Sequence, residues 1–169
     1  HLYCNGPHKR FISKNPFASG KIESLNETFP TARFVCIVRT PARTVPSMFS
    51  LVDYFGRLYH YSDDKNYDEA ILEVLLHSYE YPLRKLPELP ENRQVVVRFE
   101  ELTTNLKRTI ESVHDRLELS MSTAYLDALA AQETAAREFV SSHRYDDNPH
   151  GITQEDIALR FKNLYEEYG

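Results

Sequence analysis

The sequence predicts an α/β domain, a parallel sheet flanked by helices, and three observations carry that prediction. ARFVCIV (Ala32 to Val38) is a short continuous apolar run with β-branched residues, bounded by Pro30 and Pro41. Such a run suits a central parallel strand covered on both faces. QVVVRF (Gln94 to Phe99) repeats the pattern after a proline-rich stop, LPELPEN. The segments between and after these runs carry apolar residues at helical spacing, so the two periodicities alternate along the chain.

Taken in order, KRFISK (Lys9 to Lys14) reads as a shorter first strand. Ile22, Leu25 and Phe29 then recur at helical spacing, with Ser19 or Gly20 as the start and Pro30 as the stop. With ARFVCIV this makes a βαβ unit. A helical region follows Arg39. Pro41 is a good first-turn residue, but Pro46 interrupts the hydrogen-bond ladder, so the helix either kinks there or restarts with Ser47 in its first turn. DEAILEVLLHSYEY (Asp68 to Tyr81) is a clearer helix. Beyond the third strand, Leu102, Leu106, Ile110, Val113 and Leu117 describe one amphipathic helix, and the alanine-rich stretch from Met121 to Phe139 another. Thr153 and Asp156 form a capping-box-like start for a last helix bearing Ile157, Phe161, Leu164, Tyr165 and Tyr168. There is no repeat, low-complexity tract or linker, so residues 1–169 read as a single α/β domain or the larger part of one. His1 is neither an initiator methionine nor the charged opening of a signal peptide, which makes a fragment the expectation.

Composition narrows the function. A net charge of −5 and a pI near 5.8 give no global basic footprint, so nucleic acid is not an expected partner. No run approaches the roughly 18 apolar residues of a membrane span. Two cysteines, Cys4 and Cys36, are too few for a disulfide framework and read as reduced thiols. The seven histidines show no zinc pattern; His77 and His114 read as surface or packing residues, and no metal is expected.

Arg39 raises the functional question, because it is a charge at the end of the most apolar strand. Ligands of open α/β sheets bind beyond the carboxyl ends of the strands. A guanidinium there can hold a phosphate through two parallel charge-assisted hydrogen bonds, and Ser47 can add a hydroxyl. Lys14, ending the preceding strand, would share the same rim. The plain alternatives are an arginine paired with a carboxylate and a solvated lysine.

At this point the residues resemble the sulfotransferase family, whose donor is 3′-phosphoadenosine 5′-phosphosulfate. KNPF (Lys14 to Phe17) followed by FPTARFVCIVRTPARTVPS (Phe29 to Ser47) is similar to the family's Lys-x-Pro element, helix, FPxARF, apolar strand and Arg-x-Pro, with a serine eight residues after the arginine. VVVRFEELTTNL (Val95 to Leu106) resembles its strand and aromatic–acidic–acidic–Leu turn. SSHRYDDNPHGITQEDIALRF (Ser141 to Phe161) resembles its C-terminal Ser-x-His-x-Tyr segment, glycine and terminal helix. The ordered set spans nearly the whole chain and is far more specific than any one element.

The resemblance implies a P-loop-type fold and sulfuryl transfer to an acceptor hydroxyl, the acceptor being a small or lipid-like molecule. It implies that Arg39 and Ser47 bind the donor's 3′-phosphate and that Lys14 lies near the transferring sulfuryl group. A lysine there stabilises charge on the leaving phosphate, and losing such a donor typically costs on the order of 10²–10³ in rate. Phe99 takes the place of an aromatic near the adenine, without the hydroxyl a tyrosine would bring. Ser142, His143 and Tyr145 would close over the nucleotide side. Two departures matter. The family's 5′-phosphosulfate loop is missing, and Pro16 and Ala18 stand where relatives carry a histidine base. The expectation is therefore an N-terminally truncated domain, inactive by itself, with the loop and base upstream. The alternatives are a catalytically inactive nucleotide-binding remnant and a P-loop-type small-molecule kinase. An aromatic-rich segment (Phe49, Tyr54, Phe55, Tyr59, Tyr61 and Tyr67, with His60 among them) either walls an apolar acceptor pocket or packs a helix. A cytoplasmic setting is expected, or the Golgi lumen if the parent protein has an N-terminal anchor.

Overall fold

A computed structural model of the chain describes residues 11–59, 67–138 and 149–168. Two five-residue strands, β1 (Phe34–Val38) and β2 (Gln94–Arg98), pair in parallel, with Phe34 beside Gln94 and Val38 beside Arg98. Around them lie α1 (Ile22–Thr28), α2 (Pro41–Tyr59), α3 (Asp68–Lys85), α4 (Phe99–Thr104), α5 (Leu106–Arg116), α6 (Thr123–Glu138), α7 (Gln154–Arg160) and α8 (Lys162–Tyr168). This is the predicted class, a parallel sheet flanked by helices. Among the described residues no helix is long and apolar enough to cross a membrane.

The main core joins the end of β1 to four helices. Val38, Val45, Phe49, Leu72, Leu75, Tyr79, Ile157, Phe161 and Leu164 form one buried cluster, with Cys36 and Val96 against it. Burying a side chain such as Phe49, which is fully enclosed, contributes about 1.5–3 kcal/mol. A smaller cluster of Val97, Val113 and Leu117 seats α5 on the other side of β2.

Several expectations change. Residues 11–15 have no regular structure and residues 11–14 are exposed, so the predicted strand Lys9–Lys14 is not formed over its described part. A strand needs a neighbour to complete its ladder, and β1 finds that neighbour in the valine-rich β2 instead. β1 is also not covered on both faces, since Val35 and Ile37 are 47% and 52% exposed. α2 neither stops nor restarts at Pro46, whose ring is buried beside Val45 and Phe49; that burial offsets the lost ladder bond. α3 likewise continues through Pro82, past Tyr81 to Lys85.

The helix predicted across Leu102–Leu117 divides at Asn105 (φ −139°, ψ 54°) into α4 and α5. Thr103 and Thr104 hydroxyls both donate to the Glu100 carbonyl, at 2.9 and 2.8 Å. Such side-chain bonds compete with helix continuation. The terminal helix likewise turns at Phe161 (φ −102°, ψ 25°) while its buried residues keep their spacing. The capping box is present: Thr153 Oγ1 accepts from the Asp156 N–H at 3.1 Å, and Asp156 accepts from the Thr153 N–H at 2.9 Å.

Candidate functional site

The register of the sheet brings two of the predicted residues together. Val38 and Arg98 are opposite each other at the carboxyl ends of the strands, so Arg39 and Phe99 leave the same rim side by side. The Arg39 guanidinium carbon lies 4.8 Å from the centroid of the Phe99 ring. Contacts of this kind are worth about 0.5–1 kcal/mol where solvent reaches them. A ring offers no acceptor oxygen, and among the described residues no carboxylate pairs with Arg39. The N–H donors of the guanidinium thus stay available for a bidentate anionic ligand.

Ser47 stands half-buried in the second turn of α2, because the helix begins at Pro41. Its backbone N–H is spent in the helix ladder, so its hydroxyl is the group it can offer. Arg43 and Thr44 sit four and three residues before it and share its side of the helix. Arg43 is exposed and adds a second cation that the sequence analysis did not single out.

Tyr79 of α3 reaches the same place from below. Its hydroxyl donates to the Arg39 carbonyl at 2.7 Å and lies 2.7 Å from Thr44 Oγ1, which is in turn 3.3 Å from the Thr40 carbonyl. The side chain is 8% exposed, and burial pushes its pKa up to about 12. It remains a neutral hydroxyl at any physiological pH. Nothing beyond its phase with Leu72, Leu75 and Pro82 marked Tyr79 in the sequence.

Lys14 is exposed, one residue before Asn15, whose side chain caps a 3₁₀ turn by accepting from the Phe17 N–H at 3.0 Å. Among the described residues Lys14 has no ion pair. Ser142, His143 and Tyr145 lie outside the described residues, as do His60 and Tyr61. Of the aromatic segment, Phe49 is core, whereas Tyr54, Phe55 and Tyr59 are exposed and meet ring to ring at 5.6 and 6.0 Å. With Leu51 and Leu58, also exposed, they make one apolar stripe at helical spacing along α2. Tyr67 is exposed too. His77 and His114 pack against Tyr81 and Tyr125, as expected of surface histidines. Burial pushes the Cys36 thiol up to about 11, which suits a packing role.

A second polar cluster was invisible in the sequence. His150 Nδ1 lies 2.7 Å from Asp68 of α3, and its Nε2 lies 3.1 Å from Asp53 of α2. Its ring meets Phe49 edge-on at 4.9 Å. Hydrogen bonding to Asp68 comes first among the causes that raise its pKa, and the charge of Asp53 adds to it.

Comparison with known proteins gives the family. The model of the sulfotransferase family matches residues 2–123. Curated relatives from Mycobacterium bovis (strain ATCC BAA-935 / AF2122/97) and Mycobacterium tuberculosis (strain CDC 1551 / Oshkosh) are both described as omega-hydroxy-beta-dihydromenaquinone-9 sulfotransferase Stf3. Each is 28% identical over 95% of this chain and 41% of its own length. The crystal structure of sulfotransferase STF9 from Mycobacterium avium shares the fold, with a TM-score of 0.74 at 18% identity, covering 92% of this chain and 41% of that one. The chain thus spans about two fifths of the length of these proteins. With the family model matched from residue 2 to residue 123, the chain belongs to the sulfotransferase family.

Proposed function

We propose that this chain carries the nucleotide-binding end of an enzyme that moves a sulfuryl group from 3′-phosphoadenosine 5′-phosphosulfate to an acceptor hydroxyl. The observation that carries this reading is the strand-end pairing of Arg39 with Phe99, which leaves the guanidinium donors without a carboxylate among the described residues. In this reading Arg39 and Ser47 hold the 3′-phosphate, and Phe99 backs the guanidinium and borders the adenine. Lys14 serves the end of the donor that carries the sulfuryl group, and Ser142, His143 and Tyr145 close over the nucleotide. The donor supplies an activated sulfuryl group, while this chain's residues bind it and fix its orientation. The general base and the 5′-phosphosulfate contacts are assigned to the remainder of a longer protein, in keeping with the 41% of relatives' length spanned here.

For the acceptor, the exposed stripe Leu51, Tyr54, Phe55, Leu58 and Tyr59 favours a molecule with an extended apolar body. The mycobacterial relatives, named for a dihydromenaquinone-type substrate, point the same way.

The test is calorimetric titration with 3′-phosphoadenosine 5′-phosphate and with adenosine 5′-phosphate, which lacks the 3′-phosphate. Wild type is expected to prefer the former. Arg39→Ala should weaken that ligand about 100-fold, the equivalent of one or two charge-assisted hydrogen bonds, and leave the analogue nearly unchanged. Equal losses for both ligands would sink the assignment.

A further inference from the structure

Tyr79 is a buried hydroxyl bonded to backbone and side chain at the point where β1 becomes α2, and the reaction as proposed gives it no role. Arg39 departs from the strand with its carbonyl turned to Tyr79 Oη at 2.7 Å, and Thr44, one turn into α2, meets the same hydroxyl at 2.7 Å. One phenol thus bridges the strand end, two residues before the helix, and the helix itself. Its ring is held in turn by the core, edge-on to Phe161 at 6.2 Å between centroids. A rigid ring, a fixed oxygen and two partners five residues apart define the angle at which α2 leaves β1. That angle sets where the Arg39 guanidinium stands relative to Ser47, three residues beyond Thr44.

Resting on the 3′-phosphate reading of Arg39 and Ser47, we infer that Tyr79 is the positioning residue of that anion site, its hydroxyl locking the β1–α2 junction so that both groups reach one phosphate together. Tyr79 touches no ligand in this assignment. Two groups bind one anion well only when they are held at the right separation beforehand, because ordering them on binding subtracts from affinity. The hydroxyl therefore acts on the 3′-phosphate alone; the rest of the nucleotide has no reason to register its loss. Its burial also excludes a charged role: with a pKa of about 12 the group stays protonated and acts only through hydrogen bonds.

The experiment measures the ratio of affinities for 3′-phosphoadenosine 5′-phosphate and adenosine 5′-phosphate in wild type, Tyr79→Phe, Thr44→Val and Val113→Ala. Tyr79→Phe keeps the ring and removes only the oxygen. It is expected to lower the ratio about fivefold, the scale of one neutral hydrogen bond, with adenosine 5′-phosphate affinity within about twofold. Thr44→Val should shift the ratio in the same direction by less. Val113→Ala opens the separate cluster on the other side of β2, away from Tyr79, so it should lower the melting temperature while keeping the ratio. A Tyr79→Phe ratio equal to wild type overturns the inference; so does a Val113→Ala variant that loses the ratio equally, since the role would then be structural only. If Tyr79→Phe fails to fold, Thr44→Val decides, and an unchanged ratio in it overturns the inference. A wild type without preference for the 3′-phosphate, or an Arg39→Ala variant that loses both ligands equally, overturns the underlying reading as well, which separates the two failures.

Discussion

The two faces of the β1–β2 pair are made from the same kinds of residue and end in different surroundings. On one face Cys36, Val38 and Val96 are closed over by α2, α3, α7 and α8. On the other, Val95 and Val97 lie under α5, yet Val35 and Ile37 of β1 remain about half exposed. Parallel strands with apolar residues on both sides ordinarily have helices on both sides. The difference lies in reach: Val113 of α5 and Leu117 just after it extend over β2 and no farther. Cover on a strand is thus a property of its neighbours, and the strand's own composition states only what cover it could use. The closed face also anchors the candidate site, since Tyr79 belongs to its core and bonds the Arg39 carbonyl.

The comparison can be broken most sharply in α2, which carries both kinds of surface. Phe49→Ala should destabilise by about 3–5 kcal/mol, the usual cost of a large cavity in a core, because Phe49 is fully buried on the closed face. Phe55→Ala, in the exposed stripe, should stay within about 0.5 kcal/mol. Urea unfolding of both variants checks this. Similar losses in the two would mean that the stripe is covered in solution and that the contrast between the surfaces is false.

A second test stays within β1. Val38 is 3% exposed, so Val38→Asp buries an unpaired carboxylate at a cost of about 3 kcal/mol or more. Ile37→Asp places the same group in solvent and should cost about 1 kcal/mol or less, mainly lost strand preference. A large Ile37→Asp loss measured in a longer protein containing this chain, beside a small one here, would sharpen the comparison by showing that something else covers that face.

The sequence made some of this legible and hid the rest for physical reasons. The β-branched runs around Val35 and Val96 marked both strands, and Thr153 with Asp156 marked a helix start, because those signals are local. The rim was half visible. Family resemblance pointed to Arg39, Ser47 and Phe99 separately, while the meeting of Arg39 with Phe99 depends on which strand pairs with β1 and in what register. The run ending at Lys14 was taken as a strand on the same local ground, and residues 11–14 form none. Tyr79 and Thr44 are 35 residues apart, and His150 reaches partners 82 and 97 residues away, so no spacing rule could link them. The break at Asn105 came from threonine hydroxyls taking helix carbonyls, which apolar periodicity does not register.

The smallest expected effect concerns how the closed face is held. His150 ties the segment before α7 to α2 and α3 through Asp53 and Asp68, and Arg160 of α7 donates through both terminal nitrogens to Glu69 of α3. The His150 pairs are partly exposed, and such a pair contributes below about 1 kcal/mol. Among the described residues the groups facing the His150 ring are Asp53 from α2, Asp68 from α3 and the edge of Phe49, which together favour the imidazolium. Its folded pKa is raised above the ordinary value of 6.5. The folded protein therefore binds the proton more tightly than the unfolded chain does. The resulting stability is fully present below about pH 6.5 and is lost as pH rises through the folded value. His150→Gln keeps hydrogen-bonding capacity but cannot charge. Wild type should exceed it in stability at pH 6, and the gap should narrow at pH 8.5. A gap that is constant or widens toward alkaline pH would remove the protonated histidine from the account and leave α7 and α8 held to the closed face by their buried residues and the Arg160–Glu69 pair.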